Sequence, residues 1–371
     1  MDEMNIREKT IIARLLFILI AFCLTGALIG MVTILNTDAS YAVPTEPNVT
    51  ARNDASADPL DVSPMPEDAY ERVQLTFAGS CTAGSMLGSS SYGTFNEKLS
   101  SDGAGYFLGK LTDLFTSDDF TLAGCDVVLS DSESLAAADR GTLSWYRAPA
   151  RASEIFSVGG MDALSLHCFH AWDYGDAGYA DTKSALENAG LLWGDQGKAL
   201  YFEQAGITVA VYCRYVDDET DADAVRAWLT DKIFYDYVVL YITTPEEDSF
   251  LPDESRRTMF RSFADAGADL IVGTDTDKLQ PCESWGGGMI FYSIGALLDG
   301  ETKYPEPYTL LLGTELRVID GELLDVQYTV TPCRTYDEDH PWRPYVLVPE
   351  DGDEYRNVMD FLEGNRDTPN N

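Results

Sequence analysis

Histidine is nearly missing from this chain: only His167, His170 and His340 occur in 371 residues. Imidazole is the commonest metal-binding side chain, and zinc, iron and copper depend on it heavily. A conventional hydrolytic centre holding two such ions is therefore not expected. Basic residues are also scarce, with 25 Lys and Arg against 62 Asp and Glu and a formal net charge of −37. Binding to a phosphate backbone needs positive charge, so nucleic acid is not an expected partner. The same excess of acid would repel a polyanionic polymer unless a cation stood between them, and it also makes a well-solvated surface. No cysteine spacing matches a zinc signature, and no repeat appears at solenoid periods.

The chain does have one long apolar run. Leu15 to Leu35 carries no charge and follows Arg7, Lys9 and Arg14. About 20 apolar residues span a bilayer, and a basic flank stays in the cytoplasm. The expectation is a single-pass anchor in the cell membrane with the rest of the chain extracytoplasmic. Ser40-Tyr41-Ala42 resembles a signal-cleavage site, but the apolar part of a signal peptide usually runs only about 7 to 15 residues, which favours the anchor. Residues 37–70, rich in Asp, Ala, Pro, Thr and Ser, read as a disordered tether, with a glycosylation pattern at Asn48-Val49-Thr50. Six of the seven cysteines would then face an oxidising exterior. Disulfides are permitted there, and buried small apolar side chains are the alternative.

Order is expected from Val73, where Val73, Leu75 and Phe77 alternate with polar residues. Candidate strands follow at Asp126 to Leu129, Asp162 to Leu166, Ile207 to Tyr212, Tyr237 to Ile242, Asp269 to Val272 and Met289 to Ile294. Candidate helices are Tyr106 to Phe115, Tyr179 to Ala189, Asp223 to Ile233, Glu254 to Ala266 and Tyr355 to Leu362. Their alternation argues an α/β fold. Asp320-Gly321 and Gly286-Gly287-Gly288 read as hairpin turns. The domain plan is a cytoplasmic tip and anchor over 1–36, a linker over 37–70, an α/β domain over 71–334, and an extension over 335–371 with a short helix and polar tail. In such sheets reactive residues sit on loops past the carboxyl ends of strands. Those loops hold Ser80, the run Ser130 to Glu133, His167 to His170, Thr243 and Gly273 to Asp277.

Taken in order, these loops resemble the CapA family of capsule synthesis proteins, the poly-γ-glutamate branch of the calcineurin-like metallophosphoesterase superfamily. The frame carries the likeness over about residues 73 to 364: Tyr146-Arg-Ala-Pro149, Gly160-Met-Asp-Ala-Leu-Ser-Leu166, Asp173-Tyr174-Gly175, Gly178 through Thr182, Leu186, Gly190, Gly267 to Gly273 and Ile290 to Gly295. The resemblance implies a four-layer α-β-β-α sandwich. It also implies metal ligands at five loops, and most of these are altered. Ser80 replaces an aspartate, Asp131-Ser132-Glu133 replaces Asn-x-Glu, and Cys168-Phe169-His170 keeps only the histidine. Thr243 replaces a histidine, and Gly273-Thr274-Asp275-Thr276-Asp277 replaces Gly-His-His-Pro-His.

A two-metal hydrolytic site needs imidazoles and a bridging carboxylate to generate hydroxide. What remains is a degenerate centre with His170 and Glu133 as the catalytic candidates, or a rebuilt, oxygen-rich site on Asp131, Glu133, His170, Asp275 and Asp277. Such a site would suit weakly held magnesium, calcium or manganese, or no cofactor at all. Cys81, Cys168 and Cys282 near these loops could supply thiolate ligands or a nucleophile with His170 as base, or be disulfide-bonded or inert. Ser80, Glu133, His170, Thr243 and Asp277 are expected to line one pocket. The function this implies is work on capsule or cell-envelope polymer, as a pseudoenzyme that binds the polymer or the export machinery, or as a hydrolase or transferase using the rebuilt site.

Overall fold

The polar and apolar alternation at Val73, Leu75 and Phe77 lies within a twelve-residue strand, Glu71–Thr82, whose inward side chains are fully buried. A computed structural model of the chain describes residues 70–89, 92–138, 144–230, 234–245, 248–274, 277–303 and 305–370. The apolar run at 15–35, the linker with its glycosylation pattern, and Asp275 lie outside the described residues. No helix among the described residues is long and apolar enough to cross a membrane.

Two large sheets organise the molecule. Across the first, the strands run Tyr345–Val346, Glu322–Arg334, Tyr308–Ile319, Glu71–Thr82, Phe120–Cys125, Ala163–Ser165 and Leu192–Gly194, while Ala296–Asp299 pairs in parallel with the far end of Glu71–Thr82. The second runs Leu279–Trp285, Gly288–Ile294, Leu270–Thr274, Tyr237–Thr243, Ile207–Tyr215 and Leu200–Gln204, with parallel strands in the middle and antiparallel strands at both edges.

Strand periodicity sorts the cores. Tyr237, Val239 and Tyr241 face the first sheet, packing in one cluster with Val73, Leu75, Phe77 and Leu122. Their neighbours Val238, Leu240 and Ile242 face the other way, onto Val225 of helix Glu219–Leu229 and Phe260 and Phe263 of helix Glu254–Asp265. Successive side chains of a strand point to opposite faces, so a strand buried on both sides is apolar throughout. The outer face of the first sheet carries a third core, where Ala123 and Leu164 pack with Phe107, Phe156 and Leu186. The layers are thus helices, sheet, sheet, helices. The mixed α/β architecture expected from the sequence is present.

The hairpin turns fall where the sequence puts them. Asp320 and Gly321 have φ of 52° and 78°, and Gly286 and Gly287 have 60° and 91°. Two successive positive φ values match the right-handed twist of the flanking strands. Two elements differ. Tyr106 to Phe115 is two short turns, Gly105–Leu108 and Thr112–Phe115, interrupted near Gly109, a residue that weakens a helix interior. The sheet strand near Asp126 lies upstream, at Phe120–Cys125, and only Val128–Leu129 continues as a separate ladder beside Tyr146–Ala148. Asp126 is therefore the first residue past a parallel strand. All six cysteines beyond residue 80 are buried free thiols. Burial pushes Cys125, Cys213 and Cys282 up to about 12 and Cys81 well above its ordinary range, which makes them poor nucleophiles.

Candidate functional site

The carboxyl ends of the parallel strands open onto a cavity of about 380 Å³ lined by Thr82, Asp126, Ser144, Tyr146, Phe169, His170, Pro245, Asp277, Asp299 and Glu301. Thr82 ends the first strand, and Asp299 ends the short strand paired with it in register. Phe169 and His170 occupy one tight helical turn, Phe169–Trp172, after strand Ala163–Ser165. Pro245 and Asp277 follow strands Tyr237–Thr243 and Leu270–Thr274 of the second sheet.

Hydrogen bonds fix several of these groups. Asp126, 5% exposed, accepts from the Thr82 hydroxyl at 2.9 Å through one oxygen and from the His170 backbone N–H at 2.6 Å through the other. Asp173 is fully buried and accepts the backbone N–H of Tyr146 at 2.6 Å, while His170 Nδ1 sits 2.9 Å from the same oxygen. A carboxylate only accepts, so the proton of this pair belongs on Nδ1. The ring of Tyr146 stands edge-on to His170 at 4.5 Å and that of Phe169 at 4.9 Å.

The pocket's charge is one-sided: Asp126, Asp277, Asp299 and Glu301 line it, and no lysine or arginine does so among the described residues. Burial, then Glu301 and Asp126, push the Asp299 carboxyl up to about 6, partly opposed by the Glu301 backbone N–H and by His170. Tyr146 is 1% exposed, and its hydroxyl faces the Glu301 carboxylate, a hydrogen-bond acceptor. Burial first, then Glu301 and Asp299 nearby, raise its pKa.

Of the residues expected from the sequence, His170 and Asp277 line this pocket. Asp131 and Glu133 are exposed and outside the lining, with Asp131 accepting from the Ala150 backbone N–H at 3.1 Å. Ser80 and Thr243 are buried elsewhere. Thr243 Oγ1 lies 3.1 Å from Thr274 Oγ1 and 4.0 Å from Cys168 Sγ. Space around this cluster is tight: a Cβ on Gly124 would lie 2.8 Å from Cys168 Sγ and 3.1 Å from Ser80 Cα. Among the described residues no three His, Cys, Asp or Glu side chains come together as a metal site. Sequence reasoning missed Thr82, Asp126, Tyr146, Asp299 and Glu301. The available signal was an acid directly after a short apolar run, as at Gly124-Cys125-Asp126 and Leu297-Leu298-Asp299.

Fold and site together define an α/β sandwich of two facing sheets with an acidic pocket at the strand ends. A model of the bacterial capsule synthesis protein PGA_cap family matches residues 214–301. The PGA biosynthesis protein CapA of Bacillus subtilis (strain 168) is 29% identical over 150 residues, 34% of this chain and 39% of that protein. The capsule biosynthesis protein CapA of Bacillus anthracis is 23% identical over 298 residues, 71% of this chain and 69% of its own length. A crystal structure of a hypothetical protein from Thermus thermophilus superposes with a TM-score of 0.43 at 15% identity, covering 70% of this chain and 99% of that one. Over these segments the chain is similar to capsule synthesis proteins of the CapA type, and it spans about two fifths of the length of the Bacillus subtilis relative.

Proposed function

We propose that the chain is a membrane-anchored, extracytoplasmic CapA-like protein of capsule or cell-envelope polymer synthesis, of poly-γ-glutamate type, whose centre binds polymer or export machinery without hydrolysing it. The names of the two Bacillus relatives support the process. The layer order supports a metallophosphoesterase-like sandwich, and the uncharged run from Leu15 to Leu35 supports the anchor. The observation that carries the non-catalytic reading is the Thr243 and Thr274 hydroxyl pair at 3.1 Å, buried where the family resemblance implies histidines. Two neutral hydroxyls that satisfy each other supply neither the charge nor the soft donors that hold a transition metal.

One observation favours a second reading: four carboxyl groups and His170 share one pocket, an oxygen-rich set that suits a hard cation. Metal analysis of the full chain, purified without chelators, separates the two. The expected result is no zinc, iron or manganese and no phosphodiester hydrolysis above background with zinc or manganese added. About two such ions per chain, with turnover lost in His170→Ala, would replace the binding reading with the catalytic one.

A further inference from the structure

We propose that a groove beside the acidic pocket holds the anionic body of the polymer, with neighbouring carboxylates of a γ-linked glutamate chain meeting Arg147 and Arg151. This rests on the polymer-binding reading and gives the polymer a surface of its own, apart from the pocket. Strand Tyr146–Ala148 divides the two: Tyr146 lines the pocket, and Arg147, pointing to the opposite face, lines a groove of about 500 Å³ with its register partner Ser85. Many basic side chains of this acidic protein sit against carboxylates, as Arg226 does with Glu219 and Asp223 and Arg261 with Glu283. Arg147 and Arg151 form no ion pair among the described residues. Arg147 donates through Nη1 to the Ser132 carbonyl at 2.9 Å and lies over the Tyr174 ring, 5.4 Å from its centre. Arg151 is exposed and donates to Oγ of Ser100, another residue of the groove wall, at 2.9 Å.

The groove is rich in unused donors. A guanidinium carries five N–H groups, and the hydrogen bonds of Arg147 use one of them. Ser85 and Thr94 accept the backbone N–H groups of Asn96 at 3.0 Å and Glu97 at 3.2 Å, so each hydroxyl keeps its own proton to donate. Glu97 is the one acid among the described lining residues, and it accepts from the Gly93 N–H. A wall this rich in donors suits a carboxylate, and the planar fork of arginine matches its two oxygens. Stacking on Tyr174 holds that fork in place. Met86 and Leu87, 37% and 53% exposed, supply an apolar edge for the methylene groups of a γ-linked backbone. In the pocket the same polymer would meet Asp126, Asp277, Asp299 and Glu301, and the field that repels it there leaves the groove as its seat.

The experiment is isothermal titration of the full chain in detergent with a short γ-linked glutamate oligomer, the same oligomer with its α-carboxylates amidated, free glutamate and inorganic polyphosphate. The acidic oligomer should bind, more weakly as salt is raised, and amidation should weaken it at least about tenfold. Arg147→Gln and Arg151→Gln should each weaken it several-fold, whereas Lys198→Gln, which removes an exposed charge away from the groove lining, should not. Arg151 is exposed, so its variant tests the site even where Arg147→Gln disturbs the fold. Binding of the acidic oligomer that is indifferent to both arginine variants overturns the inference and leaves polymer binding intact. An equal loss in Lys198→Gln overturns it too, as attraction by net charge alone. Amidated oligomer or free glutamate binding as tightly as the acidic oligomer overturns carboxylate recognition at two points. Polyphosphate binding more tightly overturns the carboxylate in favour of a phosphate polymer. No binding of the acidic oligomer removes both this inference and the polymer-binding reading.

Discussion

Asp173, fully buried, holds His170 through its Nδ1 at 2.9 Å and takes the Tyr146 backbone N–H on the same oxygen at 2.6 Å. One carboxylate thus fixes two walls of the pocket. In Asp173→Ala the buried Tyr146 N–H and His170 Nδ1 both lose this acceptor, whereas the one amide oxygen of Asp173→Asn can still take both. Leaving the buried Tyr146 N–H unpaired in the alanine variant should cost about 1 to 3 kcal/mol. Urea denaturation checks this, and a stability within a few tenths of a kcal/mol of the parent would contradict the role.

Asp299 should act in the opposite sense. Its carboxyl is raised to about 6 from an ordinary 3.8, by burial and by Glu301 and Asp126 facing it, with His170 opposing. A raised folded-state pKa means the charged form is disfavoured in the fold. The parent is spared this penalty below about pH 4, incurs it progressively between about 4 and 6, and carries it in full above. Asp299→Asn should therefore stabilise the chain by roughly 1 to 3 kcal/mol at neutral pH, with the advantage vanishing in acid. Denaturation midpoints for parent and variant at a series of pH values test the sign. A variant less stable than the parent at neutral pH would refute it.

The Thr243 and Thr274 pair allows a double-mutant cycle. Thr243→Val or Thr274→Val alone leaves one buried hydroxyl facing a methyl group and should cost about 1 to 2 kcal/mol, while the double variant should cost less than the sum. Strict additivity would mean the two hydroxyls do not satisfy one another.

Topology is checked on cells. If the run from Leu15 to Leu35 anchors the chain with Lys9 and Arg14 inside, protease added to intact cells should cut between about Pro59 and Pro66 and release the domain. Full protection on cells with an accessible surface would reject the orientation.

Much of the frame could be read from residues alone, because it rests on short-range pattern. Tyr237 to Ile242 is apolar on both faces, and the pairs at Asp320-Gly321 and Gly286-Gly287 need positive φ, so each signal lies within one element. The site was harder. Attention to the positions that bear metal in the family led to Ser80, Thr243 and Glu133, two of them buried and one on an exposed loop. The acids that line the cavity owe their place to pairing between distant segments. Asp299 reaches it only because Ala296–Asp299 lies parallel to the end of Glu71–Thr82, a strand too short for periodicity to reveal. Asp126 reaches it because the sheet strand is Phe120–Cys125, upstream of the expected Asp126 to Leu129, so that the acid follows the strand instead of opening it.

The cavity takes Thr82, Asp126, His170 and Asp299 from loops and strand ends of the first sheet and Pro245 and Asp277 from the second. An occupant lodged there is a bridge across the seam between the sheets, so its affinity counts toward holding them together. By mass action the thermal midpoint should climb with the logarithm of ligand concentration once the site is near saturation. A simple melting curve then reports occupancy directly, without any assay of chemistry.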